Sequence, residues 1–254
     1  MGVMPVPIPS TDERGGQANT VTCLQVMVAM RDGVKLNTFV FIPSPKEGRF
    51  PVILQRTPYG ITAPGSESFT DCESGWLPSA EEPMRGSMLR GWRQIVDHGY
   101  VAVYQDTRGR YGSEGEDRVY HDDAADGYDT LNWIADQDWT NNQVGVSGSS
   151  AGATTALAAA SQRHPTLRAF FAQAGGSSIY DDVVCEGASI EMERLWLWVS
   201  NNIPGLSNTH RDSVRHRLGL SVTQMEAAAV SASARYVRLE AAKRDPNPFV
   251  DSPD

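Results

Sequence analysis

The chain is poor in cysteine and histidine and has no long apolar run, and each shortage removes a class of protein. Its three cysteines, Cys23, Cys72 and Cys185, are odd in number and far apart. They make neither a disulfide framework nor a C-x-x-C metal pattern, so reduced, half-buried thiols are expected. None of the 5 histidines pairs with another at H-x-x-x-H spacing, and neither a metal nor any other cofactor is expected. Continuous apolar stretches stay far below the roughly 18 residues of a membrane span, so no membrane partner is expected. Basic residues number 22 against 31 acidic ones, with a pI near 5.0 and no Lys/Arg cluster. That balance argues against a nucleic-acid partner. The first 20 residues lack a basic region followed by an apolar one; they read as a flexible lead with no secretory signal, and the expected location is cytoplasmic.

What remains is enough for one large domain with an added subdomain. "TVTCLQVMVAMRDGVKLNTFVFIPS" alternates apolar and polar residues on both sides of a turn at Arg31 to Gly33, a two-stranded hairpin. "FPVILQRTPYG" is a strand feeding a loop, and residues 61–82 read as a long surface loop. Met88, Trp92, Ile95 and Val96 form a helical stripe ended by Gly99. "YVAVYQDTRGR" is a buried-type strand, and Ala124, Tyr128, Leu131 and Ala135 mark one helical face over 122–136. "QVGVSG" is a strand, the alanine-rich run to Ser161 a helix, and "LRAFFAQAG" a further strand. Strands alternating with helices predict a mostly parallel sheet covered on both faces. The expected organisation is a lead over 1–20, an α/β core over 21–182 and a helical cap segment over 183–254 without strands.

"QVGVSGSSAG" holds three serines in a strand-to-helix turn. A nucleophile there needs small residues two before and two after it, so that strand and helix can approach. Ser147 and Ser149 fail that test; Ser150, between Gly148 and Gly152, passes. The following helix offers its N-terminal field, and the Ala151 N–H is placed to donate to an oxyanion. A capping serine in a glycine-rich turn is the plainer alternative. A second rival takes Gly145, Gly148 and Gly152 as a dinucleotide cradle. That motif normally opens the first βαβ unit, with an acid about 20 residues on. Here it follows several strands, and residues 168–174 carry no acid.

Several ordered blocks extend the pattern: "MRDGVKLNTFVFIP", "FPVILQRTPYG", "GYVAVYQDTRGRYGSEGE", "DGYDTLNWIADQDWTNNQVGVSGSSAG" and "HPTLRAF". Over about residues 25–200 the chain resembles the acyl-esterase family of CocE/NonD type, which includes cocaine esterase, α-amino-acid ester hydrolases and Xaa-Pro dipeptidyl-peptidases. The family's elbow is usually G-x-S-Y-x-G; here the tyrosine is missing and the motif is one residue shorter. The resemblance implies an α/β-hydrolase core, a helical cap, and a C-terminal jelly-roll domain. It implies that Tyr59 lends its hydroxyl to the oxyanion hole and that the partner is a small-molecule ester or peptide substrate. Asp181 and Asp182 fall in the region where amino-ester hydrolases gather acids around a substrate ammonium group, although solvated surface acids are the plainer reading. Asp106, Arg108 and Arg110 are expected to form a structural ion-pair network, with lining of the pocket mouth as the alternative, and Trp133 and Trp139 to pack and not to serve as substrate platforms.

In this fold the order is nucleophile, acid, histidine. Downstream of Ser150 lie His164, His210 and His216. His164 is about 14 residues along the same helix, roughly 20 Å away at 1.5 Å rise, too far to act. His210 and His216 fall in the helical segment and read as surface residues. The sheet therefore reads as incomplete, and the acid and base of a serine hydrolase are expected beyond residue 254. The alternative is a non-catalytic binding module that keeps the fold.

Overall fold

Alternating apolar residues build the first sheet half. In the computed structural model, which describes residues 6–8, 21–43, 48–60, 91–176, 178, 181–182, 185–186, 189–190, 198, 202, 205–224 and 227, β2 (Val21–Ala29) pairs antiparallel with β3 (Lys35–Pro43). The expected turn closes the hairpin through Met30 N–H to Val34 O, 2.8 Å, with Gly33 at φ 86. Inside the stretch read as a flexible lead, β1 (Val6–Ile8) pairs antiparallel with β2.

The second half is parallel. β4 (Phe50–Thr57) lies between β5 (Val101–Asp106) and β6 (Thr140–Ser149), and β6 pairs with β7 (Leu167–Gln173). Antiparallel pairing of β3 with β5 joins the halves, giving the order β1-β2-β3-β5-β4-β6-β7. The order reverses between β4 and β6, and the crevice at the carboxyl ends of these two strands is where open α/β sheets bind ligands.

Period-two alternation sends the side chains of β5 to two different cores. Ala102 and Tyr104 join Phe39, Phe41, Trp92 and Val96 under α1 (Trp92–Asp97). The Phe41 and Trp92 rings stack there with centroids 4.7 Å apart. Val101 and Val103 join Leu54, Val144, Val146, Leu131, Ile134 and Ala156 under α2 (Asp123–Ala135) and α3 (Ala151–Ser161). Each such aliphatic side chain contributes about 1.5–3 kcal/mol when fully buried. Trp139 belongs to this second core, and Trp133 packs edge-on against it, centroids 6.1 Å apart. β1 and β7 are the two edges of the described sheet, and on β7 Phe170 and Phe171 are 56% and 65% exposed.

Three expectations change. The inward face of α2 is Asp123, Asp126, Gly127, Thr130, Leu131 and Ile134, one residue out of step with the expected stripe. Its two aspartates are buried because arginines meet them, which a hydrophobicity pattern does not register. Beyond residue 183 the chain does form strands: β8 (Cys185–Glu186) pairs antiparallel with β9 (Ser189–Ile190). Cys23 is disulfide-bonded, while Cys185 is a free, buried thiol. The chain also divides into two units, Met1–His210 and Arg211–Asp254. In the second, residues 211–218 complete helix α4 (Asn208–Leu218), which buries no residue. The 61–82 loop and Met88 lie outside the described residues. No helix among the described residues is long and apolar enough to cross a membrane.

Candidate active site

Ser150 sits at the corner between β6 and α3 with φ 56 and ψ −125. Such a conformation costs a non-glycine residue on the order of 1–3 kcal/mol. The surrounding backbone holds it: Ser150 N–H donates to Gln173 O at 2.9 Å, and Ser150 O accepts from Ala153 N–H at 2.9 Å and Thr154 N–H at 3.3 Å. The flanking glycines are not equivalent. A Cβ on Gly148 would lie 2.1 Å from the Gly152 carbonyl oxygen, so strand and helix touch there. A Cβ on Gly152 would meet only Arg56 O, at 3.5 Å, an ordinary contact. Of the neighbouring serines, Ser147 accepts a hydrogen bond from Gln55 Nε2 at 2.9 Å.

Tyr59 is on the loop after β4, and three bonds hold its backbone. Tyr59 N–H donates to Thr57 Oγ1 at 3.0 Å, Thr107 N–H to Thr57 O at 3.0 Å, and Arg110 Nε to Pro58 O at 2.9 Å. Gly60 follows at φ 87, and a Cβ there would lie 2.6 Å from the Tyr111 ring. Arg110 is only 2% exposed, and burial lowers its pKa against the pull of Asp117. The segment from Gly205 closes over it, with Tyr111 N–H to Gly205 O at 2.8 Å and Ser207 N–H to Gly109 O at 2.9 Å.

These two loops bring the side chains together: Tyr59 OH lies 3.1 Å from Ser150 Oγ. Ala151 provides the first N–H of α3, and the opening N–H groups of a helix have no partner inside it. A third group, which the spacing did not single out, completes the cluster. Trp198 Nε1 donates to Tyr59 OH at 3.3 Å, and the Trp198 ring lies 6.2 Å from that of Tyr120. Nothing in "LWLW" distinguishes this tryptophan from its neighbour at 196.

Among the described residues Ser150 Oγ has no histidine partner. His164 is buried, its Nδ1 accepting from Thr166 N–H at 3.2 Å and its Nε2 2.9 Å from Asn132 Oδ1. Burial lowers its pKa. His210 accepts from Asp117 N–H through Nδ1 at 2.9 Å. His216 is on α4 with an exposed side chain. Asp181 and Asp182 are exposed; their carboxylates accept from the Ser178 hydroxyl at 2.8 Å and the Ser178 N–H at 2.9 Å.

Behind the site lies a buried charge network. Arg56 Nη1 is 3.0 Å from Asp123 Oδ1, and Arg56 Nε donates to Gln105 Oε1 at 2.8 Å. Arg108 grips Asp126 with Nε and Nη2 at 3.0 and 2.7 Å, and Asp32 with Nη1 and Nη2 at 2.7 and 3.2 Å. Burial raises the Asp123 pKa, with Arg56 opposing. Asp106 accepts from Asn37 Nδ2 at 2.9 Å. The three residues expected to form one ion-pair network instead take different partners: Arg108 pairs with Asp126 and Asp32, Arg110 lies 3.6 Å from Asp117, and Asp106 accepts from Asn37, while Arg56, Asp123 and Asp126 were not foreseen.

The model of the X-Pro dipeptidyl-peptidase (S15) family matches residues 32–251. The cocaine esterase of a Rhodococcus species is 32% identical over 189 residues, covering 74% of this chain and 30% of that enzyme. An aminopeptidase structure from a Thaumarchaeota archaeon of marine sediment aligns with TM-score 0.55 and 27% identity, over 74% of this chain and 31% of that one. A CocE/NonD family hydrolase from Staphylococcus aureus aligns with TM-score 0.61 and 24% identity, over 82% and 37% respectively. The fold is that of the α/β-hydrolases, and the chain spans about 30% of the length of cocaine esterase.

Proposed function

Because the chain belongs to the X-Pro dipeptidyl-peptidase (S15) family, we propose that it carries the nucleophile portion of a serine acyl hydrolase acting on an ester or amide. Ser150 Oγ attacks the carbonyl carbon and passes its proton to a general base. The carbonyl oxygen becomes an oxyanion, received by the Tyr59 hydroxyl and the Ala151 N–H. Collapse expels the alcohol or amine, which takes the proton back from the base, and water then hydrolyses the acyl-enzyme by the same route. Removing one oxyanion donor of this kind typically slows such reactions by about 10²–10³.

The observation that carries this reading is the pairing of a strained serine at a strand-to-helix corner with a phenol 3.1 Å from its oxygen. The base and its orienting acid are proposed to come from outside residues 1–254. Support comes from the commitments of His164 and His210 to other partners and from the chain's 30% share of cocaine esterase. Labelling by a fluorophosphonate tests the proposal: the full-length protein reacts, and the Ser150→Ala form does not. Equal labelling of both would remove Ser150 from the mechanism.

The same commitments favour a second reading, in which the fold is kept as a non-catalytic binding module. p-Nitrophenyl acetate separates the two: turnover abolished by Ser150→Ala supports the enzyme, and a rate equal to the Ser150→Ala background supports the module.

A further inference from the structure

The bond between Tyr59 OH and Ser150 Oγ has two orientations, since either oxygen can donate. The indole nitrogen of tryptophan is a donor only. At 3.3 Å from Tyr59 OH, Trp198 Nε1 therefore occupies an acceptor position of the phenol. A phenol has one proton, and the Trp198 side is already taken by another group's hydrogen. With one acceptor position of the phenol filled, the arrangement in which that proton points at Ser150 is favoured. Ser150 Oγ then accepts, and its own hydrogen is free to face a base. A chain of donors running one way also strengthens each link, because each acceptor is polarised by the bond it receives.

We infer that Trp198 is a positioning residue, which sets the proton direction of the oxyanion-hole hydroxyl by donating to Tyr59. This deepens the acyl-transfer reading and rests on it. Trp198 would touch no reacting atom and act wholly through Tyr59. Two features hold it in place. Asn202 Nδ2 donates to the Trp198 carbonyl at 2.7 Å, and Tyr120 sets its ring against the indole. Tyr120 and the preceding Val119 both have left-handed backbones, φ 64 and φ 41, the kind of strain that surrounding structure must impose.

A double-mutant cycle and a spectrum test the assignment in the full-length protein. Fluorophosphonate labelling rates are measured for wild type, Tyr59→Phe, Trp198→Phe and the double variant, with Ser150→Ala as the blank. Trp198→Phe keeps an aromatic ring but removes the donor; labelling is expected to slow about fivefold, the scale of one neutral hydrogen bond. In the Tyr59→Phe background the same change is expected to have no effect. Rate losses that simply multiply in the double variant overturn the inference. In ¹⁵N-labelled protein each tryptophan gives an indole N–H signal, and Trp198→Phe identifies that of Trp198 by its loss. That signal is expected to move upfield in Tyr59→Phe; an unmoved signal overturns the hydrogen bond itself. Absence of labelling at Ser150 in the wild type sinks the acyl-transfer reading instead, and the spectrum still decides the bond.

Discussion

The Ser150 corner and the charge network behind it differ in what their polar groups face. Arg108 spends three nitrogens on two carboxylates, Asp126 and Asp32. Arg56 bridges Gln105 and Asp123 with its side chain 2% exposed. Ser150, by contrast, is exposed and strained, and its hydroxyl meets the Tyr59 phenol. The network is not saturated, since Arg56 Nη2 and Arg110 Nη2 are buried without a hydrogen-bond partner; what separates the two regions is that its arginines face buried carboxylates while Ser150 is exposed. The unfavourable φ persists because the Ser150 N–H and carbonyl are held by Gln173, Ala153 and Thr154.

Substitutions can break this division of labour. On the acyl-transfer proposal the largest expected effect is Ser150→Ala in the full-length protein, which should lower the rate of ester hydrolysis by about 10⁶-fold, as is typical for loss of a nucleophile. Ser150→Gly should abolish turnover too, yet raise stability by about 1 kcal/mol, because glycine accepts φ > 0 without a penalty. Steady-state kinetics and urea denaturation of both variants check the pair. A stability loss in Ser150→Gly would contradict the claim of stored strain.

Arg56→Met should show the opposite pattern. It leaves Asp123 buried without its partner, and breaking a buried pair in this way costs about 3–5 kcal/mol. Denaturation midpoints measure the cost, while fluorophosphonate labelling per folded molecule should stay near wild type.

The two elbow glycines sharpen the comparison at a smaller scale. Gly148→Ala would drive a Cβ into the Gly152 carbonyl. Separating β6 from α3 should cost about 1–3 kcal/mol, the range for overpacking, and slow labelling as well. Gly152→Ala places its Cβ in ordinary contact and gains helix propensity of up to about 1 kcal/mol. Its melting temperature should be unchanged or higher; equal damage from both variants would refute the asymmetry.

Asp32 should matter least. Its hydrogen bond from Arg108 lowers its pKa against the cost of burial. The stabilisation is therefore present above the ordinary carboxylate value of about 3.9 and is lost as pH falls below it. With the Asp32 side chain 52% exposed, it contributes under about 1 kcal/mol. Asp32→Asn should be slightly less stable than wild type by urea denaturation at pH 7 and indistinguishable from it near pH 2.

The strands and the elbow were legible because each rests on short-range pattern. Alternation marks β2 and β3, and G-x-S-x-G after an apolar run marks the corner at Ser150. The face of α2 was misread by one residue because burial there follows arginines from β4 and the β5 loop. Asp123 and Asp126 look like surface acids until Arg56 and Arg108 arrive. The disulfide at Cys23 escaped for a related reason, since three scattered cysteines carry no pairing signal.

Local pattern alone determined which residues could extend, turn or cap, since those preferences depend on a few neighbouring residues. It also singled out Ser150 among three adjacent serines. Tertiary structure alone decided that the Tyr59 phenol stands 3.1 Å from Ser150 Oγ and that the Trp198 indole reaches it from 139 residues further along the chain. The physical reason is that those contacts are made by the packing of loops from different strands. Their energy depends on distances that no spacing along the chain encodes.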